Sequence, residues 1–413
     1  MRISNIEVMV VNLPFRVTFG HNLASRKSSS NILVKTTLES DDKRTFIGYG
    51  ESIPRDYVTG ETVQSALKAI ETEFILAMRD FQFETPIQAL THLESYSGEN
   101  NAAWCAVEIS ILDALAKASN LQLAYLLSLY DSTRQAKMPS KEVKQTQIKT
   151  TSIQSVIDYG GVVPFGPPVA IAALLLCYRA YGFKTVKLKM GRDFERGMFT
   201  LQMARNIMGS EAIVRTDANC GWTVEETLYF AEKMRKYKVS SIEQPIDAEN
   251  IAGLQRLTAE VPETIVADES LCTLEQAKML ISTRACDAFN IRLSKVGGVL
   301  ASMQMADMAR QAGLGCLMGA QVGESAILSA AARAFAAVKG PFDNCEGSFN
   351  KLLLHEDLSN TKFRIAPGGI GRLPTIPGLG VEVDERKIKK YASTQYKTTS
   401  STSQAQLADS AIS

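Results

Sequence analysis

The segment Thr185–Asp193, with the sequence TVKLKMGRD, carries two lysines inside an apolar run. Alternate side chains of a β-strand lie on the same face, so Lys187 and Lys189 share the face that the neighbouring valine, leucine and methionine mark as interior. Burial of an unpaired ammonium group costs several kcal/mol. The rest of the chain must therefore supply partners or a function for this pair.

Similar runs recur at a regular interval after Ser155. Each run is short and β-branched, ends in a polar residue and is followed by an amphipathic stretch, and the polar residues lie 25 to 28 residues apart. This interval accommodates a strand, a crossover helix and two short loops. About eight such units fit between Ser155 and His355, which favours an α/β fold of the TIM type, a (β/α)7-8 barrel, over an open doubly wound sheet.

The barrel is expected to be one part of a larger molecule. The first fifty residues alternate like an antiparallel meander, and helical periodicity begins at Glu61. Residues 1–130 are therefore predicted to form an N-terminal α+β domain. The remaining boundaries place a linker or loop at 131–152, the barrel at 153–355, a segment that returns to the first domain at 356–391 and a disordered tail at 392–413.

Composition narrows the class of function. The chain has 413 residues, 45% of them hydrophobic and 22% charged, with a formal net charge of +1, so no basic field exists to attract nucleic acid or an anionic membrane. The longest apolar run, VAIAALLLC from Val169, is far shorter than the roughly 20 residues of a membrane span. Seven cysteines without a CxxC pair are typical of reduced thiols. We expect a cytoplasmic protein that acts on a small molecule.

Three carboxylates end three successive predicted strands. Asp217, Glu243 and Asp268 lie where a barrel carries its catalytic side chains, at the carboxyl ends of the strands. Converging carboxylates repel one another, and a Mg²⁺ ion resolves that repulsion while keeping coordination positions for a substrate. Lys189 and Lys295, on the second and sixth strands, should approach from opposite sides. Neighbouring positive charge lowers the pKa of a lysine, so we expect one of them to accept a proton at neutral pH.

The motifs VKLKMG, RTDANCGW, IEQPI, VADES and NIRLSKVGG, in this order and spacing, resemble the enolase superfamily and within it the muconate lactonizing enzyme subgroup. The resemblance implies a barrel with an N-terminal capping domain, and it implies Mg²⁺ bound by Asp217, Glu243 and Asp268. It also implies Lys189 and Lys295 as the acid/base pair, Lys187 as an electrostatic neighbour, and a homo-oligomer. Two loops, Phe15 to Ser30 and Glu51 to Glu61, are implied to cover the site.

Within the subgroup the chain is most similar to dipeptide epimerases, in which an Asp-x-Asp on the eighth strand holds the ammonium group of the substrate. The matching residues here are Asn344, Cys345 and Glu346, so one carboxylate of the two remains. Further residues are candidates for substrate binding or for support of the site: Asn219, Glu269, Gln321, Glu324, Arg26 and His21.

The expected reaction is removal of the proton α to a carboxylate through an enediolate. Because a lysine is expected on each side of the substrate, the preferred outcome is racemisation or epimerisation of a dipeptide or an N-acyl amino acid. A muconate-type cycloisomerase and a dehydratase or lyase are the alternatives, since the same residues suffice for them. A catalytically inactive barrel that serves as a binding protein is the non-enzyme alternative.

Overall fold

The computed structural model describes residues 1–21, 24–79, 81–96, 100–136, 152–395 and 399–400. The chain begins with an antiparallel sheet made of β1 (Arg2–His21), β2 (Ala24–Glu39) and β3 (Thr45–Ser52). The short strand β15 (Thr399–Ser400) pairs with the outer edge of β1, so the order of this sheet is β15-β1-β2-β3. Hydrophobic side chains of this sheet and of the barrel belong to one continuous buried core.

The second sheet consists of eight parallel strands in sequence order from β5 to β12. A parallel bridge also joins Tyr159, next to the first of these strands, to Cys345 in the last, so the sheet closes on itself as a barrel. A small antiparallel sheet of β13, β14 and β4 lies outside it. The bounds are β4 (Val156–Asp158), β5 (Gly161–Val163), β6 (Thr185–Lys189), β7 (Ile213–Asp217), β8 (Val239–Glu243), β9 (Thr264–Ala267), β10 (Ala288–Ile291), β11 (Gly315–Met318), β12 (Asn344–Cys345), β13 (Ile365–Ala366) and β14 (Ile370–Arg372).

Helices follow the strands of the barrel and cover the N-terminal sheet. Several begin at a threonine whose side chain accepts a backbone hydrogen bond and forms a capping box, as at Thr223 and Thr273. No helix in the described part of the chain is both long enough and apolar enough to cross a membrane. The helices are α1 (Asp56–Thr59), α2 (Val63–Ala69), α3 (Ile75–Met78), α4 (Pro86–Leu93), α5 (Asn101–Ala118), α6 (Leu123–Gln135), α7 (Pro168–Tyr181), α8 (Phe194–Met208), α9 (Val224–Met234), α10 (Ile251–Glu260), α11 (Leu274–Thr283), α12 (Leu293–Val296), α13 (Val299–Gln311), α14 (Ala326–Lys339), α15 (Asn350–Leu353) and α16 (Glu385–Tyr391).

The predicted barrel and the N-terminal α+β arrangement are confirmed, but some local details differ. The segment Phe15 to Ser30, expected as a loop, continues β1 and β2 as a hairpin in which Phe19 pairs with Arg26. Helix α6 runs past residue 130, where the sequence analysis ends the first domain. Most of the predicted linker and of the tail lies outside the described residues. The domain boundaries therefore stay a prediction.

Buried glutamates join the N-terminal part of the chain to the barrel helices. Glu51 on β3 accepts hydrogen bonds from the backbone N–H groups of Ser325 and Leu328 at the start of α14. Glu108 on α5 does the same for Val299 and Leu300 at the start of α13. The carboxyl oxygens of a glutamate at a helix N-terminus accept hydrogen bonds from N–H groups that have no partner inside the helix. These contacts fix the N-terminal part over the barrel.

Glu108 should make stability depend on pH. Burial raises the pKa of its carboxyl to about 8 from an ordinary value of 4.5, although the two N–H donors act in the opposite direction. Between these values the native protein keeps a proton that the unfolded chain releases, so the free energy of unfolding falls as pH rises through this window. We expect Glu108→Gln to flatten that slope in urea unfolding measured from pH 4.5 to pH 8. The matched change Glu232→Gln, on an exposed face of α9, should keep the wild-type slope; an unchanged slope in Glu108→Gln would contradict the assignment.

Candidate active site

Three carboxylates meet at the carboxyl ends of neighbouring barrel strands. Asp217 ends β7, Glu243 ends β8, and Asp268 directly follows β9. All three are fully buried, and one oxygen from each lies within 4.8 Å of the others. The structure therefore brings together the three side chains that the strand spacing placed at one point.

The backbone just beyond these strand ends adopts an unusual conformation. Asn219, Cys220 and Gln244 have positive φ angles of 44°, 58° and 35°, in a region that side chains other than glycine rarely adopt. The turn at Gln244 directs its side-chain oxygen to the backbone N–H groups of Asp268, at 2.9 Å, and Ser270, at 3.1 Å. Gln244, which the sequence analysis did not single out, thus fixes the strand end that carries Asp268.

Lys187 is the central cation of the site. Its Nζ lies 2.9 Å from Glu243 Oε1, 3.2 Å from Asp217 Oδ2 and 2.7 Å from Glu346 Oε2. Burial acts to lower the pKa of Lys187, but these three carboxylates together raise it above its ordinary value. Lys187 is therefore held in its protonated form, because carboxylates outnumber cations around it.

Lys189 has a different set of contacts. Its Nζ lies 2.6 Å from Asp217 Oδ2 and donates to Asn219 Oδ1 at 2.9 Å. Asn219 in turn donates to Glu269 Oε1 at 3.0 Å. Burial acts to raise the pKa of Asp217, but Lys189 and Lys187 hold it well below its ordinary range. Asp217 is therefore a carboxylate, and Asn219 and Glu269 fix the end of Lys189 that faces the cavity.

Arg215 lies on β7, two residues before Asp217, and is a side chain of the site that the sequence analysis missed. Its guanidinium contacts Glu243 Oε2 and Glu346 Oε1, both at 2.8 Å. Lys187 and Arg215 together hold the pKa of Glu346 down at about 2, against the opposing effect of burial. Strand alternation could have found Arg215, since residues 215 and 217 share a face of β7. Both oxygens of Glu346 are thus already paired with cations of the protein.

The sixth barrel strand presents an arginine to the site. Arg292 directly follows β10, lines the cavity and contacts Asp268 Oδ2. Lys295 lies on the next short helix, α12, and is fully buried; its Nζ donates to Asp268 Oδ1 at 2.8 Å, to the Asn290 carbonyl oxygen at 3.0 Å and to the Asp268 carbonyl oxygen. Burial lowers the pKa of Lys295 to about 7. Arg292 therefore lines the cavity, whereas Lys295 is buried beneath the cavity surface.

A cavity of about 250 Å³ opens above the carboxylates. Its floor includes Lys187, Lys189 and Arg292, and its walls are mostly apolar. The apolar walls come from β1, from β5, from the segment after β12 and from α7. They include Val17, Phe19, Val162, Leu174, Phe349 and Leu352. The hairpin that replaces the predicted first loop thus covers the site, as the resemblance implied for that segment.

Most of the remaining candidate residues line the cavity, and a few lie elsewhere. Gln321, Glu324 and Glu346 line the cavity, as do Asn219 and Glu269. Burial raises the pKa of Glu324 to about 8. Asn344 is buried beside Gly160 instead, and Arg26 lies over the Tyr57 ring, with its guanidinium carbon 5.7 Å from the ring centre. The side chain of His21 lies outside the described part of the structure.

The three carboxylates fit a magnesium ion. Mg²⁺ binds in proteins through carboxylate oxygens and keeps positions for water or substrate, and this cluster offers oxygen ligands alone. Asp268 Oδ2 contacts Arg292 but accepts no hydrogen bond of regular geometry within the described residues. A divalent ion at this site would compete with the neighbouring cations for the same oxygens.

Comparison with characterised proteins identifies relatives along most of the chain. The hydrophobic dipeptide epimerase of Enterococcus faecalis is 27% identical over 82% of this chain and 88% of the relative. The L-Ala-D/L-Glu epimerase of Bacillus subtilis is 28% identical over 92% of this chain and 97% of the relative. The N-succinyl-L-Arg/Lys racemase of Bacillus cereus is 25% identical over 94% and 98%. These relatives are racemases and epimerases that act on amino-acid derivatives.

Solved structures share the fold. The substrate complex of the Bacillus subtilis L-Ala-D/L-Glu epimerase matches 92% of this chain and 99% of its own, with a TM-score of 0.79 and 26% identity. The muconate lactonizing enzyme of Pseudomonas fluorescens, at 23% identity, shares the fold over 95% of this chain and 99% of its own, with a TM-score of 0.82. The family described as Enolase C-terminal domain-like matches residues 170–387. With this match over the barrel and its carboxylate cluster, the chain belongs to the enolase superfamily.

Proposed function

We propose that this protein is a Mg²⁺-dependent isomerase that removes the proton α to a carboxylate and returns a proton to the same carbon. Its substrate class would be an amino acid whose amine is acylated, either an N-acyl amino acid or a dipeptide. The observation that carries this proposal is Lys189, an amine at the cavity floor 2.6 Å from a carboxylate of the Asp217, Glu243 and Asp268 cluster. The intact lysine and carboxylates argue against an inactive barrel.

Asp217, Glu243 and Asp268 would hold the ion. When bound, Mg²⁺ supplies positive charge that polarises the substrate carboxylate and stabilises the negative charge of the enediolate. The amine of Lys189 accepts the α-proton while the electron pair of the broken C–H bond moves into the carboxylate. Asn219 orients Lys189 by accepting a hydrogen bond from its Nζ. Lys187 stays protonated between three carboxylates and acts through its charge.

Contacts around Glu346 favour an N-acyl amino acid over a dipeptide. A dipeptide carries a free ammonium group, which needs a carboxylate partner when it is buried. Glu346 pairs with Lys187 and Arg215 through its two oxygens, and Asn344 is uncharged and does not line the cavity. An uncharged acyl group needs no carboxylate partner when it is buried. The apolar walls of the cavity fit a substrate with an apolar side chain.

A second class of product has its own supporting observation. Among the described residues that line the cavity, the lysines are Lys187 and Lys189, and both lie on β6. A syn elimination or a syn cycloisomerisation can proceed with an acid/base group on only one side of the substrate. A lyase or a cycloisomerase is therefore the second candidate.

The first test is incubation of the protein with Mg²⁺ in D₂O and a panel of N-acyl amino acids and dipeptides. Isomerisation predicts a gain of one mass unit at the α-carbon with no other change, and chelation of the ion should abolish it. Loss of water or formation of a structural isomer would indicate the second candidate. Unchanged mass and unchanged chromatographic retention across the panel, in a protein that binds Mg²⁺ by calorimetry, would contradict both activities for these substrate classes.

A further inference from the structure

The two sides of the cavity floor carry different functional groups. Strands β6 and β10 lie opposite each other, because three strands separate them in either direction around the closed sheet. The β6 side contributes the amine of Lys189, and the β10 side contributes the guanidinium of Arg292. A substrate bound between them would therefore meet an amine on one face and a guanidinium on the other.

Lys295 does not replace the missing amine on the β10 side. Its Nζ has three close partners, all of them protein oxygens of Asp268 and Asn290. It is fully buried and is absent from the cavity lining among the described residues. Helix α12 turns the chain after Arg292 and carries Lys295 behind the Asp268 carboxylate.

We propose that Arg292 makes the two faces of the substrate unequal, so that exchange of the α-proton with solvent is faster than inversion. This inference rests on the proposed function. On the β6 face, Lys189 takes the α-proton, exchanges it for a solvent proton, and returns that proton to the same face of the enediolate. The C–H bond that breaks is thus replaced by a new bond with the same configuration. A guanidinium stays protonated in proteins and cannot perform this transfer on the opposite face.

Arg292 can still stabilise negative charge that develops on the bound molecule. Its Nε is buried and has no hydrogen-bond partner among the described residues, so this N–H is available to an oxygen of the bound molecule. A fixed positive group beside a developing negative charge stabilises the transition state. Arg292 is therefore a positioning and charge-stabilising residue, and inversion has to use a slower route than transfer through a cavity-lining amine.

The test compares exchange with inversion in D₂O and Mg²⁺. The probes are the separate L and D forms of N-acetylleucine and N-succinylleucine; loss of the α-proton is followed by NMR and inversion by chiral chromatography. For the wild type we expect one stereoisomer to exchange about 100-fold or more faster than it inverts, the difference that a missing general acid produces. Arg292→Lys should bring the ratio toward unity by adding an amine on the second face. Arg292→Met should slow exchange without adding inversion.

The outcomes separate the two proposals. Wild-type inversion as fast as exchange, with both stereoisomers reacting equally, would overturn the role of Arg292 while the proposed function stood. A ratio that Arg292→Lys leaves unchanged, in a variant whose circular dichroism shows native folding, would overturn it as well. If Arg292→Lys does not fold, the wild-type ratio decides alone. Absence of exchange from both stereoisomers of both probes would overturn the proposed function for N-acyl amino acids, and this inference with it.

Discussion

Lys189→Met is expected to slow α-proton exchange by roughly 10²–10⁴-fold, the contribution of a positioned general base. Methionine is close to lysine in length and keeps the apolar part of the side chain, so the cavity should change little. The variant also removes the cation 2.6 Å from Asp217 Oδ2, while Lys187 remains 3.2 Å from the same oxygen. The measurement is NMR of the α-proton signal in D₂O, with Mg²⁺ present.

The matched control is Lys184→Met, an exposed lysine just before the same strand. It should exchange at the wild-type rate. Calorimetry with Mg²⁺ separates chemistry from metal binding, since Lys189→Met should still bind the ion. Full exchange activity in Lys189→Met would show that another group removes the proton and would contradict the role proposed for this lysine.

Glu243→Gln should have two large effects, one on metal binding and one on stability. The glutamine offers a neutral oxygen in place of a carboxylate, so Mg²⁺ binding in calorimetry and α-proton exchange should both be lost. Glu243 also accepts hydrogen bonds from Lys187 at 2.9 Å and from Arg215 at 2.8 Å. Removal of one partner from a buried charge pair costs about 3–5 kcal/mol, so the free energy of unfolding in urea should fall by an amount of this order.

Glu263→Gln is the control for this change. Glu263 is a buried glutamate just before β9, at the end of the barrel opposite the carboxylate cluster, and its nearest cation, Arg235, is 3.6 Å away and half exposed. This variant should keep Mg²⁺ binding and exchange. Retention of Mg²⁺ affinity in Glu243→Gln would remove this residue from the ligand set.

The contacts of Glu243 and Glu346 also bear on how one fold serves different substrates. Arg215 links the two carboxylates across the barrel interior, although the residues it joins are far apart in the chain. A carboxylate that is already paired with two cations of the protein is less available to neutralise a substrate ammonium group. Under the proposed function, we expect substrate choice to depend on charge pairing beneath the cavity as well as on the shape of its walls.

The sequence alone predicted the barrel and the three converging carboxylates. These features follow from local rules: strand residues alternate between two faces, and a strand with its crossover helix has a nearly fixed length. Polar residues at intervals of 25 to 28 therefore fall at equivalent ends of parallel strands. The same rule identifies Lys187 and Lys189 as interior, and in the structure Lys187 is buried and Lys189 half-buried, both beside carboxylates.

Only the tertiary structure decided which cation on the sixth strand faces the substrate cavity. Alternation along β10 places Arg292 on the same face as Asn290, but it stops where the strand stops, and the following turn of helix determines where Lys295 lies. The pairing of Arg215 with Glu346 was likewise invisible in the sequence, because it joins two strands that meet only when the barrel closes. Strand periodicity is a local property of the chain, whereas the partner of a buried charge depends on which distant strands the closed barrel brings within a few ångströms.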